Sequence, residues 1–233
     1  MNEPESSEIP SYGVVIIGAG VSGLYQLYKS REIGVSALVL ESGSDVGGTW
    51  YWNRYPGARF DSESYSYGYS FSQDLLDQWD WQERFSAQPE NLRYLQHVAE
   101  QFDLRSDIRF QSVVTQCTFD ETSNEWQVEV EDGFRVRCRF LVTAIGILSK
   151  PLIPDFDGMD DFKGPSFHTA QWPHDEVVFT GKRIGIIGTG ATAVQLIQEV
   201  AKTADHLTVF QRSPNWCAPL HNGPIEPAEM DDI

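Results

Sequence analysis

Hydrophobic positions fall into two kinds of segment along the chain. Val14-Val15-Ile16-Ile17 is a continuous apolar run, as a strand buried on both faces of a parallel sheet requires. Leu24, Leu27 and Tyr28 then recur at helical spacing, and Gly34 supplies a stop signal. Ala37-Leu38-Val39-Leu40 is a second strand run. The same succession returns near the other end: strand Arg183–Ile187, a helical stripe through Val194, Leu196, Ile197 and Val200, then strand Leu207–Phe210. Between them, Leu92, Leu95, Val98, Ala99 and Phe102 predict an amphipathic helix from Pro89 to Leu104. Segments Val113–Phe119, Glu125–Glu131 and Phe134–Leu141, separated by turn signals at Asp120–Asn124 and Asp132-Gly133, predict a small antiparallel meander. Its last strand runs on into Val142-Thr143-Ala144-Ile145-Gly146, which should return the chain to the first sheet.

Each strand–helix–strand unit carries a glycine loop at its first turn. The first is Gly18-Ala19-Gly20-Val21-Ser22-Gly23, the G-x-G-x-x-G pattern. Gly18 permits the turn, Gly20 lets a pyrophosphate approach the backbone, and Gly23 lets helix and strand pack closely. The helix N-terminus favours the anion. The next strand ends in Glu41, placed to accept hydrogen bonds from a ribose and to repel a 2′-phosphate. That predicts FAD or NAD at the first unit. The second loop is Gly188-Thr189-Gly190-Ala191-Thr192-Ala193, and its following strand ends in Gln211-Arg212-Ser213. A guanidinium there suits a 2′-phosphate, so this unit should take NADP. Two loops of opposite charge preference in one chain predict FAD first and NADPH second. The fold class expected is α/β: two Rossmann-like dinucleotide-binding domains in three layers, with the small β-meander and the second domain incomplete. The expected division is 1–150 for the FAD domain, with Lys150-Pro151 to Pro154 starting a linker, and 151–233 for linker and the beginning of the NADP domain.

Composition narrows the class. Of 233 residues, 34 are acidic and 17 basic, a formal net charge of −17, which opposes bulk neutralisation of phosphates and so argues against nucleic acid. There is no basic patch for an anionic membrane surface and no apolar run near the roughly 20 residues of a span. Met1-Asn2-Glu3-Pro4-Glu5 lacks the basic start and apolar core of a secretion signal, so a cytoplasmic location is expected. Three scattered cysteines, Cys117, Cys138 and Cys217, suit neither a disulfide framework nor a metal site.

Nine aromatic side chains fall between Trp50 and Phe71, a stretch with little periodicity. They read either as a core loop packed with rings or as an aromatic wall around a flat cofactor, with Arg59 and Asp61 as its few placed polar groups. His168, four residues before Trp172, is by itself more readily a satisfied structural histidine than an acid or base.

Phe162, Gly164, His168, Trp172 and Pro173 form F-x-G-x-x-x-H-x-x-x-W-P between the two glycine loops. Together with Gly47-Gly48-Thr49-Trp50-Tyr51-Trp52-Asn53-Arg54-Tyr55-Pro56-Gly57-Ala58-Arg59 and Gly188-Thr189-Gly190, it resembles the Baeyer–Villiger monooxygenases, over Gly13 to Trp216. The resemblance implies an FAD- and NADPH-dependent enzyme that uses O₂ and a flavin peroxide to convert a ketone into an ester or lactone. It implies that Gly18, Gly20, Gly23 and Glu41 hold the ADP half of FAD. Gly48, Thr49, Trp50, Tyr67, Tyr55 and Val114 would line the cofactor further. Asp61 would sit near the flavin beside a partner arginine. Gly188, Thr189, Gly190, Arg212 and Ser213 would hold NADPH, and His168 and Trp172 would belong to a moving linker. Trp172 favours this family over N- or S-oxygenating flavin monooxygenases, which usually carry Tyr or Phe there. Where the family often has Cys before the aspartate, this chain has Phe60. The family's main catalytic arginine lies beyond the second loop and has no place here; Arg59 is a candidate only by sequence proximity.

Only 23 residues follow Phe210, and Pro214, Pro219, Pro224 and Pro227 oppose central strands among them. The expectation is therefore an N-terminal part completed by a C-terminal segment or a second polypeptide. An N- or S-oxygenase and a non-catalytic FAD-binding subunit are the alternatives.

Overall fold

A computed structural model describes residues 9–226; Met1–Glu5 and Pro227 lie outside the described residues. In chain order the elements are β1 (Ser11–Ile17), α1 (Val21–Glu32), β2 (Ala37–Leu40), α2 (Thr49–Trp52), α3 (Ser64–Tyr67), α4 (Gln73–Asp77), α5 (Gln88–Gln101), β3 (Ile108–Arg109), β4 (Val114–Asp120), β5 (Glu125–Val130), β6 (Arg135–Thr143), β7 (Arg183–Ile187), α6 (Ala191–Val200) and β8 (His206–Phe210). They group into two compact units, each discontinuous in sequence. The first takes in the chain to Tyr51 and Leu95–Lys150; the second takes in Trp52–Tyr94 and the chain from Pro151.

The first unit is built on a six-stranded sheet in the order β3-β2-β1-β6-β5-β4. β3, β2, β1 and β6 run parallel, with Val15 paired to Leu38 on one side and Leu141 on the other. Val15, Ile16, Val39 and Leu40 are buried, as their unbroken apolar run requires, and α1 packs on β1 and β2 with Leu24 and Leu27 inward. β4 and β5 continue the same sheet antiparallel from β6. The meander is therefore no separate sheet. β6 is long enough, at nine residues, to pair with β5 near its start and with β1 from Arg137 to its end. Val128, Val136 and Cys138 bury where the two parts meet, and burial pushes the Cys138 thiol up to about 11. β3 was not expected. It has two residues, too few to show a period, and it extends the parallel order only because the chain after α5 is led back beside β2.

Arg31, near the end of α1, secures that return. Its Nε donates to Asp107 (2.6 Å), and its Nη1 donates to the carbonyls of Phe102 (3.1 Å) and Asp103 (2.9 Å).

In the second unit β7 and β8 pair in parallel across α6. Leu196 and Val200 of α6 bury against Ile186, and Tyr55 and Ala58 from the aromatic segment complete that cluster, with Trp172 and Phe179 at its margin. α6 covers one face of the pair. On the other, Ile187 and Phe210 are exposed, so among the described residues this sheet lacks the second covering layer of a doubly wound fold. Rings of the aromatic segment pack on one another and on later rings: Phe60 stacks on Tyr67 at 4.6 Å, meets Trp81 edge-on, and Trp81 in turn meets Tyr94. Phe60, where the resembled family often has cysteine, is a buried anchor of this cluster.

Candidate functional site

The first glycine loop is tight for identifiable reasons. Gly18 sits at φ +103°, and its N–H donates to the Leu40 carbonyl at 2.9 Å. A Cβ on Gly23 would lie 1.8 Å from the Gly18 oxygen, so strand and helix meet with no room for a side chain. Gly20 caps α1 with no side-chain bond, and the first turn of α1 holds no acid. A helix N-terminus of this kind, without an acidic side chain, favours an anion. A Cβ on Gly48 would lie 2.7 Å from the Gly20 Cα, so two loops approach backbone to backbone.

Glu41 is buried at the end of β2. Its Oε2 accepts the Ala19 N–H at 2.6 Å and its Oε1 accepts the Gly43 N–H at 2.7 Å. Its carboxylate thus first braces the loop from beneath. Two oxygens carry about four lone-pair sites, which leaves capacity for ribose hydroxyls. Asp45 ties the segment after β2 to α5 and to Arg105. Its Oδ1 accepts from Arg105 Nη1 (2.6 Å) and from the Val46 N–H (2.7 Å), and its Oδ2 accepts from Gln96 (2.8 Å). Burial works against the charge, but Arg105, Gln96 and Val46 outweigh it and hold the Asp45 carboxyl below the usual carboxylate range. Thr49 is exposed and Trp50 buried at the start of α2, whose Trp50 N–H donates to the Gly47 carbonyl at 3.0 Å. The Ser112 N–H donates to the Glu41 carbonyl at 2.8 Å, which brings the chain just before Val114 to the same end of the sheet. The Val114 side chain itself packs on the sheet core. Gly18, Gly20, Gly23, Glu41 and Gly48 are thus brought together, with Thr49 and Trp50 adjoining.

The second loop repeats the pattern. Gly188 sits at φ +101°, Gly190 caps α6 without a side-chain bond, and the first turn of α6 holds no acid. Both glycines face open space. Thr189 ties the loop to the segment after β8: its Oγ1 accepts from Gln211 at 3.1 Å and its carbonyl accepts from Asn215 at 3.0 Å. Arg212 and Ser213 lie between those two residues and are exposed. A guanidinium beside an uncapped helix N-terminus can hold a nucleotide phosphate.

The remaining candidates also belong to the second unit. Arg59 is committed elsewhere: its Nη1 donates to Glu83 at 3.0 Å and to the Phe85 carbonyl at 3.2 Å, so its charge is already paired. Asp61 is exposed, and Tyr67 stacks on Phe60. The Tyr55 hydroxyl donates to Gln195 at 2.8 Å. His168 Nδ1 accepts the Ala170 N–H at 3.2 Å and so caps the short turn Thr169–Gln171. Trp172 packs under α6, Phe162 is exposed, and a Cβ on Gly164 would meet the Phe162 ring at 2.7 Å. Sequence reasoning missed Asp45, Glu83, Gln195 and Asn222, whose roles arise from partners 24 to 140 positions away and leave no local signal. Among the described residues, no group of three or more His, Cys, Asp or Glu could hold a metal ion, and no helix is long and apolar enough to cross a membrane.

Comparison with known proteins places this geometry. The 2-oxo-Delta(3)-4,5,5-trimethylcyclopentenylacetyl-CoA monooxygenase of Pseudomonas putida is 48% identical over 96% of this chain and 42% of its own. The acetone monooxygenase (methyl acetate-forming) of Gordonia sp. (strain TY-5) is 46% identical over 92% of this chain and 40% of its own. The phenazine N-monooxygenase of Lysobacter antibioticus is 44% identical over 93% and 40%. A solved structure of OTEMO in complex with FAD and NADP superposes with a TM-score of 0.91 at 49% identity, over 96% of this chain and 43% of that one. The chain thus spans about two fifths of the length of the relatives it matches. The flavin-binding monooxygenase-like family model matches residues 12–223, and with both of its glycine loops inside that stretch the chain belongs to the flavin-binding monooxygenase-like family.

Proposed function

We propose that this chain supplies the FAD-binding portion and the first part of the NADP-binding portion of a Baeyer–Villiger monooxygenase, which inserts one atom of O₂ beside a ketone carbonyl. The observation that carries the reading is the pair of uncapped, acid-free helix N-termini behind glycine turns, one followed by Glu41 and the other by Arg212. The solved complex of a structural relative with FAD and NADP agrees with it. A C-terminal segment or second polypeptide completes the enzyme, the location is cytoplasmic, and residues 1–150 and 151–233 are the FAD portion and the linker with the NADP portion.

The amides of Gly20 to Gly23 and the N-terminus of α1 hold the FAD pyrophosphate, with Glu41 receiving ribose hydroxyls and Gly48, Thr49, Trp50 and Val114 beside it. The amides after Gly188 and Gly190 hold the NADPH pyrophosphate, and Arg212 with Ser213 takes the 2′-phosphate. Bound FAD and NADPH together supply hydride transfer and O₂ activation. The chain's own residues bind, orient and shield. Asp61, near the flavin, orients a cationic partner; Arg59, already paired to Glu83, serves the fold around Asp61 and is not the charge offered to substrate.

The test is anaerobic addition of NADPH to the purified, FAD-loaded protein, followed by air and a cyclic ketone. Bleaching of the flavin and a lactone product support the proposal; retained flavin that NADPH never bleaches would point to a binding subunit. A second reading, N-oxygenation, is favoured by the phenazine N-monooxygenase likeness over the same stretch, and an N-oxide from an aromatic amine with no lactone would establish it.

A further inference from the structure

The loop Tyr55–Arg59 is fastened to α6 by one side chain. Gln195 Oε1 accepts the Tyr55 hydroxyl at 2.8 Å and the Arg59 N–H at 3.4 Å, while Gln195 Nε2 donates to the Arg59 carbonyl at 2.9 Å. A primary amide that both accepts from and donates to one residue's backbone mimics a strand neighbour, and only Gln or Asn can do it. The fit is close elsewhere too. Gly57 sits at φ +84°, and a Cβ there would lie 2.7 Å from the Gln195 carbonyl. Thr192, one helical turn before Gln195, also bonds the Tyr55 hydroxyl, while burial raises the Tyr55 phenol above its ordinary range. The far side of Arg59 is held as well: Glu83 receives Arg59 and also Asn222 Nδ2 at 2.8 Å. The helix that carries the second glycine loop at its N-terminus thus grips, one turn later, the backbone two residues before Asp61.

We infer that Gln195 is a positioning residue that couples dinucleotide occupancy at the N-terminus of α6 to the order of the Tyr55–Asp61 loop. The inference rests on the reading of Gly188–Ala193 as a nucleotide loop. A phosphate on the first-turn amides of α6 stabilises the helix from its N-terminus, and the Gln195 amide transmits that order to Arg59. The loop keeps its other anchors, since Tyr55 and Ala58 stay buried against Leu196 and Val200, so removing the amide loosens the loop without unfolding the unit.

The experiment is amide hydrogen exchange on the purified protein, wild type, Gln195→Leu and Tyr55→Phe, each with and without NADP⁺. Without nucleotide, Gln195→Leu should speed exchange at residues 57–61 about tenfold while the amides of α6 hold, and Tyr55→Phe should do less, as it removes a single bond of the set. With saturating NADP⁺, wild type should show protection both at the start of α6 and at residues 57–61; Gln195→Leu should keep the first and lose the second. Exchange at 57–61 that is the same in wild type and Gln195→Leu without nucleotide overturns the clamp. Protection of 57–61 by NADP⁺ in Gln195→Leu overturns the coupling. A wild type with no NADP⁺ protection at α6 overturns the nucleotide reading and the coupling with it, and the ligand-free comparison then still decides the clamp.

Discussion

Gly23 is the position with the least freedom in the first glycine loop. Replacing it with alanine forces a methyl group onto the Gly18 oxygen, and overpacking of this kind costs about 1–3 kcal/mol. Gly23→Ala should therefore purify without yellow colour and melt earlier than wild type, measured by flavin absorbance and calorimetry. Asp45 matters through its charge. Its pKa is depressed in the folded protein, so its stabilising effect is complete above the ordinary carboxylate value of about 4 and is lost as pH falls through the lower folded value. Asp45→Asn should lower the melting temperature near neutrality, and the gap from wild type should close in acid; a gap that is constant down to the acid limb would refute the assignment. Arg212 should set cofactor choice. Arg212→Ala should weaken NADP⁺ about 10- to 100-fold, the effect of losing a charge-assisted contact, and leave NAD⁺ nearly unchanged in titration calorimetry. The tight glycine turns and Glu41 at the end of β2 were legible in sequence as local geometry, because immediate neighbours set that geometry. The pairing of Arg59 with Glu83 was not, because nothing local specifies it.

Among elements, the continuous apolar runs and helical stripes were read nearly to the residue: β2 at Ala37–Leu40 and β7 at Arg183–Ile187 coincide with the expected strands. The amphipathic helix expected from Pro89 runs Gln88–Gln101, and a separate short turn at Leu104–Asp107 follows it. α6 depends on a side chain from far earlier in the chain. Leu196 is buried among Tyr55, Ile186 and Val200, so Leu196→Ala should destabilise the second unit by about 2–5 kcal/mol, read as an earlier transition in denaturant unfolding. The aromatic segment was the least legible element. Its composition favoured a wall around a cofactor over a self-packed core, yet Phe60 stacks on Tyr67 within it and meets Trp81 beyond it.

For the molecule entire, the notable surface feature is apolar. Phe140 is 60% exposed and Ile147 97% in the first unit; Ile187 is 66% and Phe210 56% in the second. Large exposed aliphatic and aromatic groups mark surfaces that other protein covers. The 233-residue chain purified alone should bind a hydrophobic dye strongly, and the chain joined to the segment proposed to complete it should bind less; equal dye fluorescence from both would contradict this. The net charge of −17 works against the two anionic nucleotides of the proposed function, so under that proposal local amides and Arg212 must retain them, and added salt should tighten them slightly. The chain's order of apolar runs and its two glycine turns determined the α/β class and the two strand–helix–strand units, because each depends on residues within one such stretch. Tertiary structure alone decided that β3 joins the edge of the parallel sheet, that Tyr55 and Gln195 bind an early loop to a late helix, and that Arg59 is paired to Glu83. Those contacts join residues far apart in sequence, and burial and hydrogen-bond satisfaction select them only once the chain is packed.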